Sequence, residues 1–179
     1  AADRGELGSS EGSVEGGTFH FQAAHFELLV RMARQFGLGF ADLGKRRAGT
    51  PATLHFCDEL SRLDAHEDYP IAAAASWAIE NWAAAGFWND LVEGWQRYGK
   101  RCGMSALNVA FFSWHAKLEA NHARHTWQEL EHSYRERTPD EDQFIRHARE
   151  MLDGVLVFWR GLDDQRRMLA AGAPYVDVR

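Results

Sequence analysis

The sequence has 179 residues, 45% of them hydrophobic, which suffices for one buried core and argues against two independent domains. Its formal net charge of −6, with acidic residues spread along the chain, leaves no basic stripe to follow a phosphate backbone, so nucleic acid is disfavoured as a partner. Cys57 and Cys102 lie far apart and form no C-x-x-C pair, which indicates neither a disulfide framework nor a thiolate zinc site; a reducing cytoplasm is the expected location.

Residues 1–17 are rich in Gly, Ser and Glu and read as a flexible lead-in or as a loop over a site. They carry neither a basic start nor an apolar run, so a secretory signal is not expected. From His20 the pattern turns helical: Phe21, Ala24, His25, Leu28, Leu29, Met32 and Phe36 share one stripe, and Gly37 and Gly39 end it. After a basic turn at Gly44–Gly49, Thr50 and Pro51 supply an N-cap and first helical residue for a helix to about His66.

Pro70 opens a third segment, crowded with Ala, that runs past Glu80 and Trp88 to about Gly99, with Gly86 and Gly94 as weak points. Its apolar run from Ile71 to Ile79 is broken by Ser76 and followed by Glu80 and Asn81, so no membrane span is expected. A long fourth helix from about Ser105 to Arg137 follows from the spacing of Leu107, Phe111, Trp114, Leu118, His122 and Leu130. Thr138, Pro139 and Glu141 then predict the cap and first turn of a fifth, continued by Phe144, Ala148, Met151, Val155 and Trp159. Only Tyr175 to Val178 reads as a short strand. The expectation is an all-α bundle in a single domain over 18–172, with 173–179 as a tail.

In WHAKLEANHARH, His115, Glu119 and His122 stand at i, i+4 and i+7, within an arc of roughly 60° on one helix face. Two imidazoles and a carboxylate suit Fe, Mn or Zn, and the lack of cysteine argues against a soft-metal site. A His-rich surface helix is the plainer reading, since His125 and His132 follow. Phe111, Trp114 and Leu118 lie on or beside the same face, however, and favour an inward direction, where polar groups need partners.

One helix fills one side of a coordination sphere, so other helices must contribute. Glu80, alone in the apolar AAAASWAIENWAAAGFW, is costly to bury without a cation and is the best second donor; a cap or an Arg pair is the alternative. His25, on the stripe of Phe21, Leu28 and Met32, is a third candidate, although a lone His there is more often a core residue. Glu59 and His66 read as surface residues, and Cys102, in a Gly-flanked turn, as an inert thiol. Arg31, Arg34, Arg160 and Trp77 are candidate substrate contacts, each more often a surface or core residue.

HFELLVRMARQFGLG, a Glu in an Ala-rich helix about 55 residues on, and then H-x3-E-x2-H together resemble the haem-oxygenase-like diiron oxidases and oxygenases, related in fold to pyrroloquinoline-quinone synthase and thiaminase-type proteins. The resemblance covers roughly residues 15–135. It implies a haem-oxygenase-like helical bundle with two Fe(II) per chain, O2 as co-substrate, and His25, Glu80, His115, Glu119 and His122 as ligands. Glu119 stands where the family often has Asp. Thr18 stands where a further Glu is expected, with Glu15 the nearest substitute and Glu11 and Glu6 weaker ones.

Family members usually have more helix before this point, so the chain is expected to begin late. The implied reaction is oxidation of a small amino-acid-like or amine substrate, by N-oxygenation or oxidative C–C cleavage. An electron donor and a homodimer are the partners the resemblance leaves room for. A metal-free oxidase similar to pyrroloquinoline-quinone synthase, and a non-catalytic helical binding protein, are the other readings.

Overall fold

A computed structural model describes residues 25–136 and 140–172, apart from the side chains of 119–121. The lead-in, the positions of Glu6, Glu11, Glu15 and Thr18, the proposed Thr138–Pro139 helix start and the tail lie outside these residues. Among the described residues there is no strand. Six α-helices follow in order: α1 His25–Arg34, α2 Pro51–Asp64, α3 Tyr69–Trp82, α4 Trp88–Arg101, α5 Ala110–Glu136 and α6 Glu141–Ala170. The fold is all-α, as the periodicity predicts. None of these helices is long and apolar enough to cross a membrane.

The segment read as one helix from Pro70 is α3 and α4 joined by a π-helical turn, Ala83–Phe87. Gly86 within it takes φ +107°, a conformation that glycine alone adopts readily. Helix α2 begins where predicted, with the Thr50 side chain accepting from the Thr53 N–H and Pro51 in the first turn. Two starts differ from expectation. Helix α5 begins at Ala110, because Asn108 Oδ1 accepts the Ala110 N–H and the Gln35 side chain bonds both Ala106 O and Asn108 N, which holds that stretch out of helical form. Helix α6 is capped by Asp140, whose Oδ1 accepts from Gln143 N at 2.9 Å.

The contacts divide the chain into two compact units. In the first, the described residues of Ala1–Leu43 with Gly86–Leu118, α1 buries Leu28, Val30, Met32 and Ala33. Phe36 packs on Trp95 and Tyr98, and Trp95 on Phe112. In the second, Gly44–Ala85 with Glu119–Arg179, buried Leu63 of α2, Ile71, Ala74, Ala75 and Ala78 of α3, and Ala148 and Met151 of α6 form the core. The alanines of α3 let backbones come close. So does Gly161 of α6, where a Cβ would overlap that of Ala52 on α2.

Candidate metal centre

In the first unit, His25 opens α1 and His115 lies on α5, with ring centroids 5.2 Å apart at 68°. Trp114 stands edge-on to His25 at 4.0 Å, and Trp88 of α4 stacks on His115 at 4.4 Å. His115 Nδ1 is 2.7 Å from the carbonyl oxygen of Phe111. A carbonyl only accepts, so Nδ1 carries the proton and the neutral ring's lone pair is on Nε2. A histidine ligand is oriented in this way when its other nitrogen donates to a backbone carbonyl. The indole Nε1 atoms of Trp88 and Trp114 are buried and meet no acceptor among the described residues. Each such donor costs on the order of 1–3 kcal/mol until an acceptor arrives.

In the second unit, His122 Nδ1 of α5 lies 3.4 Å from Glu80 Oε2 of α3. Two donor atoms bound at about 2.1 Å to one ion stand roughly 3–3.5 Å apart, so the spacing fits shared ligation. It also suits an ion pair when the imidazole is protonated. Asp64, at the end of α2, is a neighbour that the sequence reading passed over. Its carboxyl is held above the ordinary carboxylate range by loss of solvation and then by repulsion from Glu80, although the residue as a whole is exposed. A cation near Glu80 would relieve that repulsion.

The predicted residues are thus gathered in pairs, His25 with His115 and Glu80 with His122, in different units. Glu119 stands on α5 between His115 and His122 in sequence, and its side chain, like Glu15, lies outside the described residues. Among the described residues no three His, Cys, Asp or Glu side chains gather into a metal-holding group. The donor types nevertheless fit iron: neutral imidazole and carboxylate, with no thiolate.

The other candidates resolve more simply. Glu59 bonds Arg62, and His66 Nδ1 accepts from Asp68 N–H; both residues are partly buried. Arg31 and Arg34 pair with Glu27. Cys57 and Cys102 are exposed free thiols, and Arg160 is exposed. Trp77 lines a cavity together with residues to which the sequence reading assigns no role in a site, among them Phe144 and Glu129.

A family model for iron-containing redox enzymes, of haem-oxygenase-like type, matches residues 14–154. The chain belongs to that family of iron-containing redox enzymes. No match was found among curated proteins or among solved structures.

Proposed function

We propose that the protein is a non-haem diiron oxidase or oxygenase that uses O2 to oxidise a small amine or amino-acid-like molecule, by N-oxygenation or oxidative C–C cleavage. The observation that carries the reading is the Glu80–His122 pair, set at a ligand–ligand distance on two helices and joined in sequence to the His115 motif. His25, Glu80, His115, Glu119 and His122, with Glu15, are the proposed ligands. Iron, when bound, would supply the electrons that activate dioxygen.

The chain's own residues have definable tasks. The Phe111 carbonyl holds His115 in the tautomer that presents Nε2. Trp88, Trp114 and Phe111 pack against that ring and leave it partly buried. The buried indole donors of Trp88 and Trp114 are suited to an acceptor oxygen on a bound molecule.

Anaerobic reconstitution of chelator-treated protein with Fe(II), followed by metal analysis and exposure to O2, tests the reading. Two irons per chain and a new absorbance on oxygenation are expected. No bound iron, or iron that is unresponsive to O2, would overturn it.

A further inference from the structure

The second unit contains a cavity of about 300 Å³ between α3, the later turns of α5 and the start of α6. Its apolar wall includes Trp77 and Phe144, whose rings meet edge-to-face at 5.8 Å. Trp127 braces Trp77 at 5.3 Å. The Trp77 indole N–H is buried and has no acceptor among the described residues; an ammonium ion, which only donates, does not bond it, so this N–H reports occupancy of the cavity rather than recognising the ligand.

The described lining of this cavity is rich in carboxylates. Glu129, Glu136 and Asp140 line it, and no Lys or Arg does so among the described residues. His132 is the sole basic lining residue among them, and it is paired with Glu136 at 3.2 Å. Asp140 accepts from the Gln143 N–H at the start of α6. Carboxylates beside indole and phenyl faces attract an organic cation twice over, by charge and by the ring quadrupole. A ligand carboxylate in the same place would meet like charge, with no arginine or lysine among the described lining residues to receive it. The volume is at the small end for ligand pockets and suits one small molecule.

We infer that this cavity binds an organic ammonium ion that has an apolar body and carries no carboxylate of its own. On α3, Trp77 precedes Glu80 by three residues, and on α5 the lining residue Thr126 follows His122 by four. The cavity is therefore about one helical turn from the Glu80–His122 pair. Asn81 Nδ2 ties the two walls at that level, donating to Thr126 Oγ1 at 3.1 Å and to Trp77 O at 2.8 Å. That the bound amine is the molecule oxidised rests on the diiron reading; that it binds does not.

Pentylammonium, norleucine and hexanoate differ only in the charged groups they carry, and they provide the test. Each is titrated into chelator-treated full-length protein, followed by calorimetry and by the ¹⁵N indole signal of Trp77, assigned through Trp77→Phe. Pentylammonium is expected to shift that signal to saturation. Norleucine and hexanoate should bind at least about tenfold more weakly, and Glu129→Gln should weaken pentylammonium by about tenfold. Glu129 is exposed on its helix, so the variant should keep the wild-type circular dichroism.

Equal binding of norleucine or hexanoate, no binding of pentylammonium, or no effect of Glu129→Gln would overturn the inference. His115→Ala separates the two readings: it should lower iron binding and leave pentylammonium binding unchanged. Failure of iron loading alone therefore counts against the diiron reading, and failure of amine selectivity alone counts against the cavity.

Discussion

His122 Nδ1 and Glu80 Oε2 stand 3.4 Å apart, joining α5 to α3 through groups that both ligate iron readily. If they share an ion, removing either one leaves the other with an incomplete coordination sphere. Glu80→Ala and His122→Ala are each expected to lower iron stoichiometry, and the double variant should lose little more than the worse single one. Metal analysis after anaerobic loading measures this. Full iron content in both single variants would rule the pair out as ligands.

The Phe111 carbonyl at 2.7 Å from His115 Nδ1 makes a separate prediction about protonation. In the metal-free protein near neutral pH, ¹⁵N spectra should show the His115 ring with the proton on Nδ1, the minor tautomer of free histidine. Adding Fe(II) should broaden or move Nε2 and leave Nδ1–H in place. A resonance pattern with the proton on Nε2 would contradict the assignment.

Local chemistry was the part of this fold legible in the sequence. Thr50 and Pro51 announce α2 because a cap and a first-turn proline act within a few residues. The start of α5 was misread because the decisive bonds come from Gln35, more than 70 positions earlier, and periodicity carries no record of them. Gly86 was legible as a weak point, but whether such a point breaks, bends or widens a helix depends on packing.

The same division holds at the site. Spacing puts His115, Glu119 and His122 on one helix, and the partner of His122, Glu80 at 3.4 Å, comes from another. Asp64 has no pattern of its own to mark it, and only folding makes it a neighbour of Glu80. The cavity draws Trp77, Glu129 and Phe144 from three helices, a grouping that residue spacing along one chain does not encode.

On the outer face of the second unit, Arg62 bonds both Glu59 of its own helix and Glu150 of α6 at 2.6 Å. Those bonds hold both carboxyls below the ordinary carboxylate value of 4.5. A depressed folded-state value means that the stabilisation is fully present above the ordinary value and is lost as pH falls through the lowered ones. Arg62→Ala should therefore cost about 1 kcal/mol at neutral pH, a modest figure because the arginine is partly solvated. The gap in melting temperature from wild type should close as pH drops below 4.5. A gap that stays constant to low pH would mean that Arg62 acts through packing alone.

Two helical glycines make opposite predictions for the same substitution. An alanine at an exposed helix position gains roughly 0.5–1 kcal/mol over glycine, because glycine loses more backbone freedom on folding. At Gly94 of α4 an added Cβ meets nothing within 4 Å, so Gly94→Ala should stabilise by about that amount. At Gly161 of α6 the Cβ would overlap the Ala52 Cβ on α2. The helices must then part, at a cost of about 1–3 kcal/mol that outweighs the gain in propensity. Ala52→Gly should restore much of the loss, because it removes the atom being struck. Denaturant unfolding of the two single variants and of the Gly161→Ala/Ala52→Gly pair measures all three effects. A stabilising Gly161→Ala would mean that α2 and α6 do not pack this closely in solution.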